Sequence, residues 1–192
     1  MTGTAGIDAP PDPALLAIGR FEEAFALESR GDESGAERGY QDVLRLSPAG
    51  FAGAMARFRL GWLRMTRREP GSAVAWFDEA AREFEALPDA PAHREMRAES
   101  LYWLALCRES IGEVLAAIDG YRQLTADPRW HLDAWFRMAI CHDKVGRFSE
   151  ALECCRHFDQ LRAAEPDRRV DYWHQADSLR QQLERLLAGL DS

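Results

Sequence analysis

The chain has 192 residues, 46% of them apolar and 29% charged, which excludes a disordered tail and leaves room for one domain or a short repeat array. Val, Ile and Thr together number only 14, while Ala, Leu, Arg and Glu dominate, so an all-α fold is expected. The net charge of −8 argues against a nucleic-acid surface, which must neutralise phosphates.

Residues 1–13 are small, polar and Pro-rich, and read as a flexible segment. They have neither the basic start nor the apolar run of a signal peptide. No stretch approaches the ~18 apolar residues of a membrane span. The expectation is a cytoplasmic protein with no membrane partner, whose cysteines Cys107, Cys141, Cys154 and Cys155 are reduced thiols. Cys154 and Cys155 are adjacent in a helical pattern and point in different directions, so a bond between them is not expected.

From residue 14 to 166 one pattern recurs four times. A small residue sits on a first helix, an Ala follows twelve positions later on a second, and a ring usually follows four after that. The sets are Ala24/Ala36/Tyr40, Gly61/Ala73/Phe77, Ala105/Ala117/Tyr121 and Ala139/Ala151/Cys155. Two antiparallel helices approach closely only where side chains are small. Gly31, Gly112 and Gly146 separate the paired helices in three units, where a helix end favours a left-handed residue. Pro70-Gly71 reads as the turn in the other unit. Pro48 and Pro128 close second helices, and Leu87-Pro88-Asp89-Ala90-Pro91 is a loop between the second and third units. Residues 167–190 form a last helical segment. Tyr172, Ala176, Leu179, Leu183, Leu186 and Leu190 make one apolar seam on it, as expected of a helix capping the end of a stack.

The pattern resembles the tetratricopeptide repeat family, whose unit is a helix–turn–helix of ~34 residues. Leu104-Ala105…Gly112…Ala117…Tyr121 and Trp135…Ala139…Gly146…Phe148…Ala151 carry the resemblance best. Arg20, Glu23, Arg57 and Arg64 stand where large apolar residues are usual, and Cys155 where a ring is usual. The fold expected is an α-solenoid of about four such hairpins plus a C-terminal capping helix.

With repeat starts at Ala17, Ala54, Ala98 and Leu132, the resemblance implies that the fifth and ninth positions of each first helix line a concave face. These are Phe21 and Phe25, Phe58 and Trp62, Tyr102 and Leu106, and Phe136 and Ile140. Phe58, Trp62, Tyr102, Leu106, Phe136 and Ile140 are the expected partner-binding residues, forming one exposed strip. Met55 and Met65 widen it, and Met adapts to varied partners. Glu22, Glu28, Glu99, Glu109, Asp133 and Asp143 surround it against Arg59, Arg137 and Lys144, an acidic excess that suits a partner with basic flanks.

The function this implies is a non-enzymatic module holding a peptide or helix of another protein, in the role of a chaperone or adaptor. Two rival readings are a self-assembling structural protein and a metal- or cofactor-binding accessory protein using Cys141, His142, Cys154, Cys155 and His157. Those residues lack the paired Cys spacing of zinc sites. No phosphate loop, nucleophile elbow or His-Glu-x-x-His helix occurs, so neither an enzyme nor a cofactor is expected.

Overall fold

The computed structural model describes residues 12–190, with the backbone alone at Leu190. The expected segment 1–13 lies almost wholly outside the described residues. Those residues form nine helices and no strand. They are α1 (Pro13–Ser29), α2 (Glu33–Leu46), α3 (Gly50–Thr66), α4 (Pro70–Ala86), α5 (Pro91–Ser110), α6 (Val114–Arg122), α7 (His131–Lys144), α8 (Phe148–Ala164) and α9 (Trp173–Leu190). Consecutive helices pack as hairpins α1–α2, α3–α4, α5–α6 and α7–α8, and α9 closes the stack on α8.

The small residues sit where the hairpins close. Ala24, Ala36, Ala73, Ala105, Ala117, Ala139 and Ala151 are all inaccessible to solvent. Gly39 extends the same logic: a Cβ there would lie 2.6 Å from that of Ala24, so only glycine lets α1 and α2 approach this closely. The helix starts are also written locally. Asp12 and Asp32 accept from the amides of Ala14 and Gly35, and Pro13, Pro70 and Pro91 occupy first-turn positions where no N–H is needed.

All four hairpin turns share one backbone geometry. The residue in the turn donates three positions back, and the next residue donates five back: Gly31 to Glu28 and Asp32 to Leu27 in the first hairpin, Gly146 to Asp143 and Arg147 to His142 in the last. Gly31, Gly112 and Gly146 adopt φ of 84°, 85° and 73°. In the second hairpin the turn residue is Arg68, with φ 60°, and not Pro70-Gly71, which instead opens α4. Pro48 follows the end of α2 as expected. However, α6 stops at Arg122, well before Pro128, and residues 123–130 run as successive tight turns.

The charged residues that break the apolar pattern are paired. Arg20 on α1 holds Asp42 on α2 at 2.7 Å, and Arg57 on α3 holds Glu79 on α4 at 3.1 Å. The same two offsets in the fourth hairpin hold Trp135 and His157, stacked with centroids 4.2 Å apart. Arg64 reaches back to Glu37 on α2, as does Arg67 at 2.7 Å, which joins the first hairpin to the second.

Cys155 has a structural counterpart. In the first three hairpins the ring at the fifth position meets the ring closing its own second helix: Phe21 with Tyr40, Phe58 with Phe77 and Tyr102 with Tyr121, at 5.4–6.1 Å. In the fourth, Cys155 offers no ring, and Phe136 stacks on Tyr172 at 4.7 Å. Tyr172 is delivered by residues 165–172, which are strapped to the start of α7. Arg168 donates to the carbonyls of Pro128 and Arg129, and Glu165 Oε1 lies 2.9 Å from His131 Nε2. The capping helix therefore begins at Trp173. Its seam runs Ala176, Leu179, Leu183, Leu187, leaving Leu186 39% exposed. A straight helix of period 3.6 drifts off a strict seven-residue seam, which moves the contact from 186 to 187. The side chain of Leu190 lies outside the described residues.

Candidate partner-binding face

The odd-numbered helices α1, α3, α5 and α7 lie side by side and touch through three cross-helix pairs. Arg59 of α3 sits 5.2 Å from the centre of the Phe25 ring on α1. Trp62 of α3 meets Trp103 of α5 edge-on at 4.9 Å. Lys144 of α7 lies 2.7 Å from Glu109 of α5. Four consecutive repeats thus present one continuous surface.

Only half of the expected residues face outward there. Phe58, Tyr102 and Phe136, all at the fifth position, are 4%, 8% and 6% exposed. They differ from the expectation of an exposed strip because the neighbouring rings cover them: Phe77 over Phe58, Trp130 stacked on Tyr102 at 4.2 Å, and Tyr172 on Phe136. The ninth positions remain. Trp62, Leu106 and Ile140 are partly exposed, each packed on one side against the core. Phe25, in the first repeat, is 46% exposed and Ile18 beside it 49%. Met55 and Met65 are also partly exposed.

Two acids of the rim, Glu28 and Glu109, are spent inside the protein. Glu28 accepts from the Tyr40 hydroxyl at 2.6 Å and pairs with Arg59. Glu109 accepts from the Tyr121 hydroxyl at 3.0 Å, pairs with Lys144 and has Arg137 at 3.7 Å. These are one arrangement used twice: the twelfth-position Glu, the ring closing the second helix of that hairpin, and the sixth-position Arg of the next. The second hairpin fills the same three offsets with Met65, Phe77 and Trp103, an apolar version in which Met65 and Trp103 pack on a buried cluster containing Phe77. In the fourth, Asp143 faces Cys155, which has no hydroxyl to offer, and it forms no side-chain hydrogen bond or ion pair among the described residues. Trp103 was not among the residues expected from the sequence. The signal was present: offset twelve and offset twenty-four change together, Glu with Tyr and Met with Phe.

Burial pushes the Cys141 and Cys155 thiols up to about 12 and Cys154 up to about 11. All four cysteines are buried and unpaired. His142 is buried, which lowers its pKa, while His157 is on the exposed side of Trp135. Among the described residues no group of three or more His, Cys, Asp or Glu is placed to hold a metal ion. No helix there is long and apolar enough to cross a membrane.

Comparison with known proteins agrees with this geometry. Residues 99–127, which span most of α5 and all of α6, match the tetratricopeptide repeat family. No curated protein sequence matches the chain. Solved structures do. The MamA protein is 20% identical with a TM-score of 0.61, the match covering 93% of this chain and 90% of that one. A putative kinesin light chain with nearly identical TPR-like repeats, from Podosopora anserina, is 17% identical with a TM-score of 0.62, covering 93% and 94%. YrrB, described as a TPR protein with an unusual peptide-binding site, is 15% identical with a TM-score of 0.60, covering 77% and 69%. At these identities the likeness is one of fold. Residues 99–127 match a tetratricopeptide repeat, and the chain around them has the fold of a tetratricopeptide-repeat protein.

Proposed function

We propose that this chain is a non-catalytic interaction module that holds a peptide or helix of another protein on the shared face of α1, α3, α5 and α7, as a chaperone or adaptor. The observation that carries this reading is the row of ninth-position side chains. Phe25, Trp62, Leu106 and Ile140 come from four successive repeats and keep apolar surface open to solvent on one side. Burying such surface is favourable, and aromatic anchors commonly dominate interfaces of this kind. The peptide-binding site named for YrrB, on the same fold, supports the reading by analogy. Four reduced, buried thiols fit a cytoplasmic setting.

The test is capture of a natural partner from native lysate, with identification by mass spectrometry. It is followed by direct titration of that partner against Trp62→Ala and Ile140→Ala. Each substitution should weaken binding by ~1–4 kcal/mol. Equal affinity in wild type and both variants, with folding intact, would sink the reading.

Self-assembly is supported by a different observation. On α1, Leu15 is 67% exposed, one turn from Ile18, so among the described residues the start of α1 presents apolar surface. Sedimentation of wild type and Leu15→Glu separates the two: a dimer that dissociates on substitution favours assembly through α1.

A further inference from the structure

We propose that the occupant of this face is a segment of another protein with an apolar block beside a Lys/Arg-rich block, seated with the apolar block on α1 and α3 and the basic block on α5 and α7. This rests on the interaction reading above and specifies its partner.

The face changes character halfway along. At the second and twelfth positions, the first two hairpins carry Ile18, Met55 and Met65 with a single acid, Glu28, whose charge is matched by Arg59. The last two carry Glu99, Glu109, Asp133 and Asp143. Glu109 is met by two cations, Lys144 and Arg137, so that cluster carries one surplus positive charge against the other three acids. Asp133 stands near the Tyr172 hydroxyl, a neutral group that leaves its charge in place. Glu99 and Asp143 form no ion pair among the described residues. The three cations of the face, Arg59, Arg137 and Lys144, are all engaged with Glu28 or Glu109. Three carboxylates without a cation, Glu99, Asp133 and Asp143, therefore lie on the α5–α7 half around Leu106 and Ile140, against one, Glu22, on the α1–α3 half, where Phe25 and Trp62 stand among Ile18, Met55, Met65 and the Arg59–Glu28 pair.

Charge complementarity selects the partner. A second copy of this chain brings a net charge of −8 to an acidic surface, so it is a poor occupant. A basic block beside apolar anchors gains on both halves. With helices ~10 Å apart, the strip across four of them is ~30 Å long, which an extended segment of ~9 residues spans.

The probes are fluorescein-labelled 12-residue peptides with six Phe/Leu and four Lys. Two have the residues in blocks, one in each chain direction, a third interleaves the same residues, and a fourth has blocks with Glu in place of Lys. Anisotropy titrations use the full chain. At least one Lys block peptide should bind more tightly than the interleaved and Glu peptides. Glu99→Gln/Asp143→Asn should weaken it about fivefold, an effect that added salt removes. The polarity is refuted if the interleaved or Glu peptide binds equally well, if neither block peptide binds, or if the double variant binds unchanged while Trp62→Ala loses binding. That last result would leave the interaction reading standing. Unchanged binding by Trp62→Ala and Ile140→Ala would instead remove the face itself, and the proposal with it.

Discussion

The repeated contact among positions twelve, twenty-four and six of the next repeat makes a sharp prediction, because the protein contains both a polar and an apolar solution. In the third hairpin Glu109 holds the Tyr121 hydroxyl and the Arg137 guanidinium; in the second, Met65, Phe77 and Trp103 fill the same places. The substitution Glu109→Met inserts one apolar member into the polar set. The Tyr121 side chain is inaccessible to solvent, so its hydroxyl loses its acceptor with no water to replace it, which costs ~1–3 kcal/mol. Arg137 loses its counter-charge while about a third of it is exposed, so it suffers only part of the penalty of a fully buried orphan charge. Lys144 is half exposed and adds little. The sum is a loss of ~2–4 kcal/mol.

Completing the exchange should reverse most of it. Glu109→Met/Tyr121→Phe/Arg137→Trp rebuilds the second hairpin's apolar set in the third, and replacing a buried polar cluster with apolar groups is often neutral. The triple variant is expected within ~1 kcal/mol of wild type. Urea denaturation, with a check that the slope is unchanged, measures both. The reasoning fails if the triple variant is as unstable as Glu109→Met alone. It also fails if Glu109→Met costs nothing.

Three further predictions use other parts of the structure. Arg68 occupies a left-handed turn position that glycine holds in the other three hairpins, so Arg68→Gly should raise stability by ~0.5–1 kcal/mol by urea denaturation. Phe58→Ala should cost ~3–5 kcal/mol because the ring is buried against Phe77, and Trp62→Ala should cost clearly less; equal losses would show that Trp62 is core. Burial alone would push the Glu37 carboxyl up, but Arg67 and Arg64 outweigh it and hold its pKa below the ordinary value. A carboxyl depressed in the folded state stabilises above its unfolded pKa and loses that contribution as pH falls through the folded one. Melting temperature should therefore drop on acidification below about pH 4, less steeply in Glu37→Gln.

Much of the fold was legible because close helix approach leaves little choice of residue. Ala24 with Ala36, or Ala105 with Ala117, are small for a reason that no partner or distant contact can change. The same holds for Gly31, Gly112 and Gly146 at their turns. The outward surface was less legible. A ring at the fifth position reads as exposed when its own helix is considered alone. Its burial depends on rings delivered from elsewhere in the fold: Phe77, nineteen residues on, for Phe58, and Trp130 for Tyr102. The fourth hairpin shows the dependence most clearly, since its Cys155 leaves Phe136 uncovered until Tyr172 arrives from beyond the repeats. The ninth position has no ring at a fixed offset above it in its own hairpin, which is why Trp62, Leu106 and Ile140 keep an open side.

The same dependence explains why the acids misled as a group. A carboxylate at position twelve is neutralised when a hydroxyl closes the hairpin and an arginine opens the next one, as for Glu28 and Glu109. It stays available when either is missing, as for Asp143 above Cys155. Counting acids along one helix mixes the two kinds. Counting them with their partners, the ring twelve residues on and the sixth position of the next repeat, separates structural carboxylates from those with no partner inside the fold. By that count, Glu22 apart, the charge left free on the shared face belongs to the third and fourth hairpins. The loss of binding on neutralising it should therefore depend on Glu99 and Asp143, while the loss of stability should follow Glu28 and Glu109.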